Sequence, residues 1–180
     1  MKGFEREDLW FSLCGLNCGL CPMRLGNYCP GCGGGAGNAS CKIAGCSLKH
    51  GGMEYCFQCR EFPCGHYDRI DEFDSFITHQ RRKADLEKVR RVGLEAYRRE
   101  QMERAEILRR LLENYNNGRQ KTLFCLAANL LELESLRKIG KDLEQSGNTA
   151  KVKSAQAAEL LQAAAEAQGV VLKLRKKRNG

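Results

Sequence analysis

Cys14-Gly15-Leu16-Asn17-Cys18-Gly19-Leu20-Cys21-Pro22 begins a run of ten cysteines that ends with Cys56-Phe57-Gln58-Cys59-Arg60-Glu61-Phe62-Pro63-Cys64. Between these ends lie Cys29, Cys32, Cys41 and Cys46, and only Cys125 falls outside residues 14–64. All three prolines and most of the glycines share this segment, and no helical or alternating period survives in it for long. Such a stretch cannot bury enough apolar surface to fold alone and needs staples. The choice is between disulfides and metal. Residues 2–8 carry acids where a secretory signal would be apolar, so a cytoplasmic, reducing location is expected. Disulfides are rare there, and clustered thiols point to metal.

The spacing supports that choice. Three pairs, Cys18/Cys21, Cys29/Cys32 and Cys56/Cys59, are separated by two residues, which lets one tight turn aim both sulfurs at a tetrahedral ion. In Cys29-Pro30-Gly31-Cys32-Gly33 the proline presets one turn position and the glycines permit positive φ. All ten cysteines, Cys14, Cys18, Cys21, Cys29, Cys32, Cys41, Cys46, Cys56, Cys59 and Cys64, are therefore candidate metal ligands. Zinc is expected, as two or three ions, with an iron–sulfur cluster as the alternative. Cys29, Cys32, Cys41 and Cys46 could close one site. The triads Cys14/Cys18/Cys21 and Cys56/Cys59/Cys64 would then share ligands or be completed by His50 and His66. If metal binds, the sulfurs should gather into two or three groups with tetrahedral separations. The first triad matches the cluster-binding triad of radical S-adenosylmethionine enzymes. Those need a large α/β barrel and usually an aromatic residue where Leu20 stands, so that reading is set aside.

The order Cys14-x3-Cys18-x2-Cys21-Pro22, Cys29-Pro30-Gly31-Cys32, Cys41-x4-Cys46 and Cys56-x2-Cys59-x4-Cys64 resembles the cysteine-rich prokaryotic family catalogued as domain of unknown function 3795. The resemblance covers about residues 10–70. It implies a metal-binding, foremost zinc-binding, bacterial or archaeal protein. Many members carry a longer insert and an aromatic after the Cys-Pro, where this chain has Met23-Arg24 and a short loop.

Beyond Cys64 the composition changes abruptly. Tyr67, Ile70, Phe73, Phe76 and Ile77 recur at three- and four-residue steps and predict a short amphipathic helix. Leu86, Val89, Val92, Ala96 and Tyr97 continue the pattern, with Gly93 either separating two helices or sitting in one. Ala105 to Tyr115 forms a further face that should stop at Asn116-Asn117-Gly118. One helix is expected from Lys121 through Leu136, and an Ala-rich one over about Ala150–Gln168. Val170 to Arg175 alternates like a strand without an evident partner. The fold class is therefore mainly α: an irregular cysteine-rich metal-knuckle region, 1–66, followed by a helical bundle, 67–180, with a basic tail.

Charge and hydropathy bound the function. The 180 residues carry a net charge of +8, 42% hydrophobic and 29% charged residues, at a mean hydropathy of -0.50. The longest strongly apolar uncharged stretch, Leu123–Leu131, falls far short of the roughly 20 residues that cross a bilayer, so no membrane partner is expected. The positive excess lies after residue 66, and Lys173-Leu174-Arg175-Lys176-Lys177-Arg178 is its densest patch. Nucleic-acid binding is thereby possible, although aromatics that could stack on bases are scarce there. Cys125 has no histidine placed by sequence to act as its base, and it is read as a small core residue. Thiolates in surplus leave zinc a poor Lewis acid. The expected function is a structural zinc protein, non-enzymatic, serving interaction with a protein partner or regulation. The alternatives are an iron–sulfur redox or sensor protein and a nucleic-acid-binding regulator.

Overall fold

The computed structural model describes residues 2–35, 41–145 and 150–177. Among the described residues there are seven α-helices: α1 (Pro22–Leu25), α2 (Lys42–Lys49), α3 (Arg82–Val92), α4 (Leu94–Asn114), α5 (Lys121–Leu130), α6 (Leu133–Gln145) and α7 (Ala150–Ala167). Single 3-10 turns occupy Cys18–Leu20, Cys56–Gln58 and Gly65–Tyr67. Among the described residues there is no strand, and the protein is mainly helical as expected. No helix among them is long and apolar enough to cross a membrane.

The chain divides into two compact units, Met1–Arg98 with Arg175–Gly180, and Arg99–Leu174. The composition change at residue 66 lies inside the first unit, because aromatics of the cysteine loops share their core with the next helix. Phe11, Tyr55, Phe62 and Tyr67 are buried together with Leu86, Val89 and Tyr97, and Cys56, Cys59 and Cys64 pack on this cluster. Phe11 stacks at a tilt on Tyr97 at 4.8 Å, and Phe62 meets Tyr67 edge-on at 4.9 Å. A smaller cluster joins Phe4, Leu13, Cys14, Ile43 and Ala44, with Cys32 and Cys56 against it.

α3 begins with Asp85 in its first turn and closes with Arg90 and Arg91, both favourable to the helix dipole. Gly93, at φ 84°, ends α3 and separates it from α4. A polar network is buried beneath α3: Asn17 Nδ2 donates to Asp85 at 2.9 Å, and the Tyr97 hydroxyl donates to Asn17 Oδ1 at 2.9 Å. These bonds bind the first cysteine loop to α3 and α4 within the first unit.

In the second unit, α5, α6 and α7 pack on one another. Phe124, Leu131, Leu136, Leu143 and Leu161 are almost wholly buried there, and Cys125 is buried as a core residue. Arg104 is buried as well, its Nη1 donating to the carbonyls of Ala128 and Leu131 at 2.9 and 2.7 Å. Those carbonyls belong to the break where the single helix expected from Lys121 to Leu136 divides. Leu131 adopts an extended conformation at ψ 153°, and Arg104 satisfies the acceptors this exposes.

Three further expectations are corrected. The cysteine region holds two α-helices, α1 started by Pro22 at its first position and α2 directly after Cys41. The amphipathic run from Tyr67 to Ile77 is not an α-helix: after the turn Gly65–Tyr67 it proceeds through turns and bends to residue 80. Asp74 explains this, since its carboxylate accepts the His79 amide at 2.7 Å and the Arg175 amide at 2.7 Å. Such local side-chain bonds offer the backbone an alternative to helix. Val170–Arg175 is not a strand either; its end is held by Arg175, whose carbonyl accepts the Asp74 amide at 2.8 Å.

His79 lies in this loop with Nε2 2.9 Å from Ser75 Oγ. Burial, with Arg82 and Arg175 nearby and Asp74 opposing, lowers it from 6.5 to about 4. A base held neutral by the fold contributes stability that is complete above the unfolded value. That contribution is lost as pH falls from 6.5 through about 4. His79→Gln should therefore flatten the acid-side decline of the urea midpoint over that window. An unchanged decline would assign it to other groups.

Candidate metal centre

The first cysteine loop is shaped by close backbone packing. Gly15 sits at φ +93°, and a Cβ there would stand 2.0 Å from the Arg82 carbonyl oxygen. Only glycine lets this loop lie against the start of α3. The neighbouring Cys14 is thereby placed beside Arg82, whose Nη2 donates to its sulfur at 3.1 Å. Ser12 Oγ is 3.4 Å from the same sulfur.

Two sets of thiols influence one another's ionisation. Burial pushes the Cys18 thiol up to about 12, with Cys32, Cys14 and Cys21 near enough to add to the effect and the Cys32 amide opposing it. Cys32 is raised by burial too, against hydrogen bonds from the Leu13 amide and Arg6. In the second set, burial pushes Cys56 up to about 12; the facing Tyr67 hydroxyl opposes this, and Cys14, Cys64 and Cys46 contribute to it. Cys46, Cys56, Cys59 and Cys64 line one cavity of about 30 Å³ together with His50 and His66.

Cys46 thus lines the same cavity as the triad Cys56/Cys59/Cys64. Cys29 is half-buried, and Cys41 is exposed before α2. His50 is exposed, its Nδ1–H donating to the Cys46 carbonyl at 2.9 Å, with the same nitrogen 3.6 Å from the Cys46 sulfur. His66 is exposed in the turn after Cys64.

No disulfide joins any of the ten. The expected tetrahedral grouping is not met: among the described residues no three Cys, His, Asp or Glu side chains stand where they would hold one ion directly.

Sequence reasoning missed three residues. Tyr67 is 6% exposed and lines the cavity. Its hydroxyl is buried, makes no hydrogen bond of normal geometry and faces the Cys56 sulfur. Arg82 is 68 positions from the Cys14 it touches. Arg6, with a side chain 1% exposed, pairs with Glu54 at 3.1 Å and donates to the Cys32 carbonyl at 3.2 Å. No spacing rule links these residues to a cysteine.

No family model, curated protein or solved structure matches the chain.

Proposed function

We propose that this is a cytoplasmic, non-enzymatic zinc protein whose metal staples the cysteine loops of the first unit, presenting them to a protein partner. The single observation that carries the reading is the cavity shared by Cys46, Cys56, Cys59, Cys64, His50 and His66. Four thiols and two imidazoles around so small a space are the donor set zinc prefers. The thiols oppose one another's ionisation, and a divalent cation reverses that balance by pairing with each thiolate. The orphaned Tyr67 hydroxyl fits as well, because a metal-bound Cys56 thiolate would accept its proton in a charge-assisted hydrogen bond. The cysteine order that resembles domain of unknown function 3795 agrees with this assignment.

Structural rather than catalytic zinc follows from the surplus of thiolates, since a catalytic ion keeps a position open and normally has three protein ligands. Elemental analysis of protein purified without oxygen tests the proposal. Colourless protein carrying zinc is expected. Brown protein carrying iron and acid-labile sulfide would replace zinc with an iron–sulfur cluster. Metal-free protein that remains folded would overturn the proposal altogether.

A further inference from the structure

The second unit holds a cavity of about 320 Å³ between α4 and α6. The two helices run in the same direction along it. Arg137 of α6 pairs with Glu103 of α4 at 2.6 and 2.7 Å, and Arg110 of α4 pairs with Glu144 of α6 at 3.1 Å. These pairs stand two turns apart on both helices, about 10 Å along the axis. Ile107, Leu111, Leu136 and Leu143 give the cavity apolar walls, and Gly140 lines it from the middle of α6. A Cβ at Gly140 would have nothing within 4 Å. Glycine inside a helix is destabilising relative to alanine, and no close approach requires it here. Its effect is to leave the cavity unfilled. Two polar groups of the lining are uncommitted. Tyr115 is 9% exposed, and its hydroxyl makes no hydrogen bond among the described residues. Burial, and then the Glu144 carboxylate, raises its pKa and keeps it a donor. Among the described residues the Lys141 ammonium makes no ion pair or hydrogen bond either. The lining carboxylates, by contrast, are each held by an arginine: Glu103 by Arg137, and Glu106 and Glu144 by Arg110.

We propose that the cavity between α4 and α6 binds a small amphipathic monocarboxylate, its apolar chain along Ile107, Leu111 and Leu136 and its carboxylate on Lys141 and Tyr115. The site is independent of the zinc reading. Its size is that of a small-molecule pocket, which starts at about 300 Å³ and combines apolar walls with a few orienting polar groups. Charge decides the sign of the ligand. Every lining carboxylate is already paired, so a cationic ligand would have to displace an arginine, whereas Lys141 is open to an anion. Tyr115 and Lys141 share one end of the cavity: Glu144 acts on Tyr115, and Lys141 precedes Glu144 by three residues, which makes them neighbours on α6. A buried tyrosine hydroxyl ordinarily has a partner, and a carboxylate oxygen supplies a charge-assisted one. Gly140 is explained as well, because a larger residue would occupy the space that the apolar chain needs.

Calorimetric titration of the full-length protein with octanoate tests this, with octanol and octylammonium as the uncharged and oppositely charged probes. Octanoate should bind at one equivalent and about tenfold more tightly than octanol, the worth of one hydrogen bond to a charged group. Octylammonium should not compete with it. Lys141→Gln should remove the preference for octanoate and leave octanol binding unchanged. Gly140→Leu should abolish binding of both. Gly140→Ala, which helix propensity favours, should raise the melting temperature while weakening octanoate, and it decides the matter should the leucine variant fail to fold. Equal binding of all three probes, no octanoate binding at millimolar concentration, or undiminished binding by the Gly140 variants would overturn the proposal. So would a dimer of the chain that Gly140→Leu dissociates, since a second copy would then occupy the cavity.

Discussion

Removing zinc with a strong chelator should unfold the first unit while α5, α6 and α7 keep their structure. Structural zinc in small finger domains contributes roughly 10–16 kcal/mol of apparent binding free energy at neutral pH. A whole domain is stable by only about 5–15 kcal/mol. The core of the first unit has little to set against that loss. Tyr55, Phe62 and Tyr67 are fixed by the loops that carry Cys56, Cys59 and Cys64, and they bury Leu86 and Val89 of α3. Loosening those loops exposes the same cluster from α3, so the effect should extend through residue 92. The second unit has its own apolar core around Phe124, Leu136 and Leu161, and its buried Cys125 lies outside the proposed site. Hydrogen exchange with and without chelator reads the two responses separately. Amide protection from Cys14 to Val92 should collapse, and that of α5–α7 should persist. Undiminished protection at Cys56–Phe62 after complete metal removal would refute the staple.

The second large effect belongs to Gly15. Gly15→Ala should cost about 4 kcal/mol, in the range of exceptional single substitutions. Two causes act together. The backbone stands at φ +93°, and the new methyl group would meet the Arg82 carbonyl oxygen at 2.0 Å and Leu86 Cγ at 2.9 Å. Relief requires the loop and the start of α3 to separate, which also carries Cys14 away from the Arg82 guanidinium. Gly51→Ala provides the control: its φ is +83°, but nothing lies within 4 Å of the added carbon. That variant should lose only about 1 kcal/mol, the ordinary cost of a left-handed non-glycine residue. Trp10, the only tryptophan and part of the first unit, gives the fluorescence signal for urea titrations of both. Equal losses would show that the close approach to α3 is not what Gly15 provides.

Much of the architecture could be read from local pattern. Gly118 reads as a helix stop, while Gly93 could equally break a helix or sit in one; both take positive φ. Leu108, Leu111 and Tyr115 were visible as one buried face because helical period and burial obey the same geometry. Where the pattern misled, a competing hydrogen bond was the cause. Tyr67 to Ile77 has helical spacing, but Asp74 captures the His79 and Arg175 amides and holds turns instead. Lys121 to Leu136 reads as one helix, but Leu131 extends, and Arg104 takes the released carbonyls. Arg175 lies 101 positions from Asp74, and Arg104 lies 24 and 27 positions from the carbonyls it takes, beyond the reach of any periodicity.

The cysteines divide in the same way. Sequence by itself determined that ten cysteines crowd into residues 14–64, that six of them come in closely spaced pairs, and that helices follow them. These are properties of composition and short spacing, carried by neighbours along the chain. That Cys46 lines the cavity of Cys56, Cys59 and Cys64, and that Cys32 packs on the cluster of Leu13 and Cys14, was decided only in three dimensions. So was the placement of Arg82 at Cys14 and of the Tyr67 hydroxyl at Cys56. The physical reason is that charge balance and burial depend on what surrounds a group in space, and the groups around these sulfurs come from distant parts of the chain.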